Sequence, residues 1–75
     1  MAGKDVAQKK LGKTIRSIRV DLGYSQEEFA GACDLHRTYF GAVERGERNI
    51  SLQNIIKIAT ALEITASRLL HKAGL

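Results

Sequence analysis

The sequence predicts an all-α fold, a compact five-helix domain. Three observations support this prediction. The chain contains no proline, it lacks the alternation of apolar and polar residues typical of strands, and its apolar residues recur at intervals of three and four between capping residues and glycines. Seventy-five residues provide one small core, so a second domain or a buried enzyme cleft is not expected.

The first two helices are marked by an apolar stripe and by a capping box. The first is predicted from about Val6 to Leu22, before Gly23, because glycine commonly ends helices. Its stripe consists of Leu11, Ile15, Ile18 and Leu22. The second begins at Ser25, whose hydroxyl can cap the helix while Glu28 reaches back to it, and lasts to about Cys33.

The remaining three helices are shorter and are placed by their ends. The third covers roughly His36 to Arg45 and stops at Gly46, which suits a left-handed backbone. Ser51 caps the fourth helix and Thr65 caps the fifth, which frays from His71 onward. The predicted buried face of the fourth helix consists of Leu52, Ile55, Ile56, Ala59 and Leu62.

The second and third helices are predicted to form a helix-turn-helix at about residues 26–45. It lies inside a single domain that spans residues 1–75 and has its core at about residues 6–71. Two short helices separated by a tight turn, the second with an apolar inner face and a small cationic outer face, are typical of this unit. Phe40 and Val43 supply the inner face.

The outer face of the third helix suits the major groove of DNA. Its residues are Arg37, Thr38, Gly41, Ala42 and Arg45. Arginine can donate two hydrogen bonds to guanine and a threonine methyl can contact thymine, while small residues allow close approach. We therefore predict base contacts by Arg37, Thr38 and Ala42. Arg37 could instead be an ordinary solvated arginine.

Charge and composition narrow the classes of function. Twelve Lys and Arg against eight Asp and Glu give a net charge of +4, which suits a polyanion, although many small basic proteins bind none. A lone Cys33 on an apolar face indicates a buried, inert thiol. No motif for hydrolysis, nucleotide binding or metal binding is present, so we expect no enzyme, no cofactor and no metal.

No apolar run approaches the length needed to span a bilayer, and the beginning of the sequence lacks a signal-peptide pattern. The expected location is therefore the cytoplasm, without a membrane partner. His36 and His71 are far apart in sequence, and a capping or surface role is expected of each.

The segment SQEEFAGACDLHRTYFGAVERGERNISLQNIIKIA resembles the Xre-type helix-turn-helix family, to which phage repressors and Cro proteins belong. Within it, LHRTYFGAVERGERNIS is most similar to restriction-modification controller proteins, and the family pattern covers about Leu11 to Leu70. The resemblance implies a homodimer that binds a partly palindromic double-stranded DNA operator. Controller proteins also regulate their own promoter and an endonuclease gene, and RNA polymerase is a further candidate partner.

The resemblance also implies roles for individual residues. Gln26 would touch a phosphate and brace the third helix, and Arg19 and Glu44 occupy positions that often form an internal ion pair. The residues expected at the DNA backbone or groove edge are Tyr39, Arg45, Arg48, Asn49 and Ser51. Asp34 stands where the turn usually has glycine, and aspartate tolerates the left-handed conformation better than most residues.

Two questions stay open at this stage. Arg48 and Asn49 could merely shape a turn. The domain could also serve an antitoxin-type or other Xre-family regulator whose main role includes binding a partner protein.

For the dimer, we predict an interface on the fifth helix, formed by Ile64, Leu69 and Leu70, because so short a terminal segment cannot readily bury this apolar surface within its own chain.

Overall fold

The computed structural model describes residues 2–75, with side chains from residue 6 onward. The helices of this part of the chain are α1 (Ala2–Asp21), α2 (Gln26–Ala32), α3 (Arg37–Glu44), α4 (Leu52–Ala61) and α5 (Ala66–Lys72), and it contains no strand. The all-α, five-helix prediction is confirmed. Four helices match their predicted bounds within one or two residues. Helix α1 begins earlier than predicted, because residues 2–5 carry no apolar periodicity.

Side-chain caps begin the four later helices, as the sequence predicts for Ser25, Ser51 and Thr65. The Ser25 hydroxyl accepts a hydrogen bond from the Glu28 N–H at 3.0 Å, and the Glu28 carboxylate accepts one from the Ser25 N–H at 2.9 Å. Hydrogen bonding to Ser25, first through its backbone N–H and then through its hydroxyl, favours the charged carboxylate. It therefore holds the pKa of Glu28 below the usual 4.5. His36 caps α3 through Nδ1, and Ser51 and Thr65 cap α4 and α5.

The core lies where all five helices meet. Its largest fully buried side chains are Phe29, Phe40, Ile15, Ile58 and Leu69. The rings of Phe29 in α2 and Phe40 in α3 pack with centroids 5.2 Å apart, so the two helices of the helix-turn-helix share one apolar contact. The predicted burial of Cys33 is confirmed, since the residue is 4% exposed. Burial raises the pKa of its thiol to about 11, against the opposing effect of the Lys57 charge, which agrees with the predicted inert thiol.

The predicted apolar faces of α1 and α4 are partly wrong. Leu22 is 43% exposed, and Leu52 and Ile56 are 65% and 48% exposed. Ile58, which the prediction omits, is fully buried beside Ala59. Three isoleucines within four residues leave the inward face of α4 ambiguous in the sequence, and packing against the other helices selects one side.

A close contact fixes α3 against α1. A Cβ at Gly12 would lie 2.4 Å from the Val43 carbonyl oxygen and 2.5 Å from that of Glu44, so only glycine lets the two backbones approach this closely. Asp34 in the turn between α2 and α3 has a φ of 58°, as expected from its place in the motif. Glu63 adopts a similar φ of 65°, which the sequence did not indicate.

Candidate DNA interface

A buried ion pair connects α1 to the end of α3. Arg19 donates from Nε to Glu44 Oε2 at 2.6 Å and from Nη2 to Glu44 Oε1 at 3.1 Å, with the two residues only 7% and 9% exposed. Arg19 Nη1 also donates to the Tyr24 carbonyl at 2.8 Å. The ion pair implied by the resemblance is thus present, and its bidentate geometry fixes the orientation of α3.

Gln26 connects a third helix, α2, to the Arg19–Glu44 ion pair. As the first residue of α2, it donates from Nε2 to Glu44 Oε1 at 2.9 Å. The implied bracing of α3 by Gln26 is therefore observed, while its contact with a phosphate stays a prediction. Because α1, α2 and α3 are joined through one carboxylate, the exposed side of α3 is presented on a rigid support.

The first turn of α3 is exposed and cationic. The Arg37 side chain is 64% exposed and lies 3.5 Å from Glu27 Oε1 through Nη1, and Thr38 beside it is also exposed. At the other end of the helix, Arg45 Nε lies 3.1 Å from Glu47 Oε2. These residues occupy the outer face that the sequence predicts.

That outer face is narrower than predicted. Gly41 and Ala42 are buried, with Ala42 only 8% exposed. The prediction that Ala42 lies on the open surface is therefore wrong. A methyl group is too short to project past larger neighbours. Over Gly41, a Cβ would lie 3.3 Å from both Gln26 Oε1 and Arg45 Nη1, which shows that these long side chains cover the small residue.

The loop after α3 forms a second part of the site. The Arg48 guanidinium lies 4.8 Å from the centre of the Tyr39 ring, within the range of a cation–π contact. Asn54 donates from Nδ2 to the Tyr39 hydroxyl at 3.1 Å. Asn49 and Ser51 are exposed beside them. Asn54 is not among the residues predicted from the sequence, because no local pattern indicates that the first turn of α4 reaches a residue of α3.

The structure also brings an α1 cation to the site. A cleft of about 410 Å³ opens between α1, α2 and α3, and its lining residues are Arg16, Arg19, Gln26, Glu44 and Arg45. Arg16 and Arg45 are exposed at this cleft, whereas the charge of Arg19 is paired with Glu44.

The residues described hold no group of three or more His, Cys, Asp or Glu that could bind a metal, and none of the helices in residues 2–75 is long and apolar enough to cross a membrane.

The predicted interface on α5 needs a correction. Leu69 is fully buried in the core of its own chain, because α5 packs against both α1 and α4. Ile64 and Leu70 remain half-buried. The larger exposed apolar side chains lie elsewhere, among them Leu52 and Ile56 of α4.

Comparisons with known proteins agree with this geometry. Residues 15–69 match the helix-turn-helix family HTH_3. Control protein C.BamHI of Bacillus amyloliquefaciens is 50% identical over 60 residues, which cover 79% of this chain and 74% of the relative. Control protein C.SmaI of Serratia marcescens is 45% identical over 65 residues, 87% of this chain and 77% of that protein.

A solved structure shares both sequence and fold. The restriction-modification controller protein C.AhdI from Aeromonas hydrophila is 48% identical, with a TM-score of 0.80 over 83% of this chain and 94% of that chain. The predicted similarity to the Xre-type family and to its controller proteins is confirmed, and these proteins are regulators and not enzymes. The chain therefore belongs to the Xre-type helix-turn-helix family (HTH_3) of transcriptional regulators.

Proposed function

We propose that this protein is a restriction-modification controller that acts in the cytoplasm. It binds as a homodimer to a partly palindromic operator and regulates its own promoter and an endonuclease gene. The observation that carries the proposal is that Arg37 and Thr38 are exposed in the first turn of α3, a helix held in place by the buried Arg19–Glu44 pair. Identity of 48–50% to two controller proteins supports the specific role, in which RNA polymerase would be a further partner.

In this proposal, α3 enters the major groove by its first turn. Arg37 donates to a guanine edge and Thr38 contacts a neighbouring base. Ala42 stays a candidate base contact, although its 8% exposure leaves little of its surface to touch. The two larger side chains thus carry the base reading.

The loop and the helix ends contact the DNA backbone in this proposal. The Tyr39 hydroxyl accepts its bond from Asn54 and so keeps its own proton to donate to a phosphate oxygen. Stacking on Tyr39 holds the Arg48 guanidinium without neutralising its charge, which suits a phosphate contact. The remaining backbone or groove-edge candidates are Gln26, Arg45, Asn49 and Ser51.

A dimer is expected because one α3 of eight residues reads only a short half-site, and two copies spaced about one DNA turn apart raise affinity and specificity together. Ile64, in the turn before α5, and Leu70 of α5 stay candidates for its interface, and the exposed Leu52 and Ile56 of α4 are further apolar surface for it to cover. Sedimentation should show a dimer at tens of micromolar. A monomer at that concentration, with no dimer on DNA, would contradict this part of the proposal.

The test of DNA reading compares Arg37→Ala with Arg48→Ala on operator variants at several salt concentrations. Loss of Arg37 should cost roughly 1–3 kcal/mol on the operator and flatten the preference for guanine at one position per half-site. Loss of Arg48 should weaken operator and unrelated DNA by similar factors and reduce the salt dependence by about one counterion per contact. Lys13→Ala on α1 removes the same charge from another exposed position and serves as the matched control.

Two outcomes would overturn this division of roles. Full discrimination at every base pair by Arg37→Ala would assign base reading to another element. Equal losses of specificity in both variants would show that the roles of the two arginines are divided wrongly. A gel shift with the DNA upstream of the gene tests whether the protein binds DNA as a regulator. An adjacent toxin gene would favour the antitoxin-type alternative.

A further inference from the structure

The turn between α2 and α3 brings a carboxylate to the proposed base-reading arginine. Glu27 is the second residue of α2 and Arg37 the first residue of α3, and their Oε1 and Nη1 atoms lie 3.5 Å apart. Resting on the proposed function, we propose that Glu27 is a specificity-determining residue. It lowers the attraction of Arg37 to phosphates and leaves the guanidinium able to read a base.

The geometry of the pair leaves most of the guanidinium free. The closest approach is the 3.5 Å between Nη1 and Oε1, and the side chains of Glu27 and Arg37 are 75% and 64% exposed. A guanidinium has five N–H donors, more than the two oxygens of one carboxylate engage even in a bidentate pair. Two donors therefore remain for the two acceptors of a guanine edge while Glu27 stays in place.

The same exposure shows that the pair is not needed to hold the fold. An exposed ion pair contributes little to stability, and Phe29 and Phe40 already join α2 to α3 in the core. The effect of Glu27 is therefore expected in DNA binding and not in folding.

Charge distinguishes a phosphate from a base. A lone arginine is attracted to every phosphate of any sequence, and this attraction supplies the non-specific affinity. A guanidinium beside a carboxylate has a combined charge near zero, so it gains much less from a phosphate. The acceptors of guanine are uncharged, so their hydrogen bonds to Arg37 lose less by the presence of Glu27. Glu27 thus weakens binding to unrelated DNA more than binding to the operator.

A neighbouring ion pair offers an internal comparison. Arg45 and Glu47 also lie close, at 3.1 Å, with similar side-chain exposure of 58% and 57%. Arg45 is proposed to contact the backbone or groove edge on any sequence. Removing the charge of Glu47 should therefore strengthen binding to operator and unrelated DNA by equal factors, whereas removing that of Glu27 should change their ratio.

The experiment measures dissociation constants by fluorescence anisotropy over a range of salt concentrations. The probes are a duplex carrying the operator that the wild-type protein selects from a random pool and a scrambled duplex of the same composition. E27Q should bind the scrambled duplex about two- to five-fold more tightly, the fold-change that corresponds to an exposed ion pair, with a smaller gain on the operator. Its salt dependence on the scrambled duplex should steepen by about one counterion.

Two controls isolate the pair. E63Q makes the same charge change in the exposed turn between α4 and α5 and should leave the ratio of the two affinities unchanged. In an Arg37→Ala background, E27Q should also leave this ratio unchanged, because the proposed effect acts through Arg37.

Three results would overturn the inference: an unchanged ratio in E27Q, an equal change of the ratio in E63Q, or a change that persists without Arg37. A loss of operator affinity with unaltered binding to the scrambled duplex would also overturn it, because Glu27 would then orient Arg37 and not neutralise it. Failure of the wild-type protein to select or bind any DNA would instead refute the proposed function, so the two failures are distinguishable.

Discussion

Replacing Glu44 by glutamine tests whether the buried carboxylate holds the DNA-facing helix in place. Glu44 accepts three hydrogen bonds, two from Arg19 and one from Gln26. Glutamine keeps the size of the side chain, but it removes the charge and offers one acceptor oxygen in place of two. The Arg19 guanidinium, only 7% exposed, would then remain charged and buried with its bond to the Tyr24 carbonyl and one amide.

The expected loss is a large part of the total stability. Breaking a buried ion pair from one side costs about 3–5 kcal/mol. A domain of this length is expected to have a total of roughly 4–11 kcal/mol, so Glu44→Gln should lower the thermal midpoint by more than about 10 °C. Urea unfolding followed by circular dichroism measures the free energy directly.

The matched control is Glu47→Gln, the same chemical change in an ion pair that is more than half exposed. It should alter the free energy of unfolding by about 1 kcal/mol or less. Replacing both buried charges, as Arg19→Met with Glu44→Leu, should recover much of the stability, because no unpaired charge is then left in the core. If Glu44→Gln costs no more than Glu47→Gln, the buried pair does not hold α3 as we argue.

Three further predictions concern packing and the thiol. Gly12→Ala should destabilise the protein by about 1–3 kcal/mol, since its Cβ would meet backbone atoms of α3. As a control in the same urea assay, Gly31→Ala, whose Cβ would meet nothing within 4 Å, should stabilise α2 by about 0.5–1 kcal/mol. Equal effects of the two substitutions would refute the close contact at Gly12. Cys33→Ala should keep DNA recognition and lose about 1 kcal/mol or somewhat more of stability; oxidation that abolishes operator binding only in the wild type would contradict the inert thiol. Because the pKa of Cys33 is about 11 in the fold against an ordinary 9.0, the unfolded thiol ionises first, so stability should fall from pH 9 to pH 11, and iodoacetamide at pH 8 should modify the protein much faster in urea than without it.

Sequence signals within one or two helical turns predicted most of the elements. The capping box of Ser25 and Glu28 depends on residues three apart, and the ends at Gly23 and Gly46 depend on a single backbone conformation, with φ of 86° and 77°. Such features need no knowledge of distant residues. For this reason the five helices, the helix-turn-helix and the exposed Arg37 could all be predicted before the structure was known.

Burial and long-range pairing were decided by the tertiary structure. Ile56 and Ile58 are equally apolar, but only Ile58 faces the other helices; Leu69, expected at an interface, completes the core of its own chain. Asn54 meets Tyr39 and Glu27 meets Arg37 across turns, and no local periodicity encodes these contacts. The sequence determines which residues can be buried or paired, whereas the packing angles of five helices around one core determine which of them are.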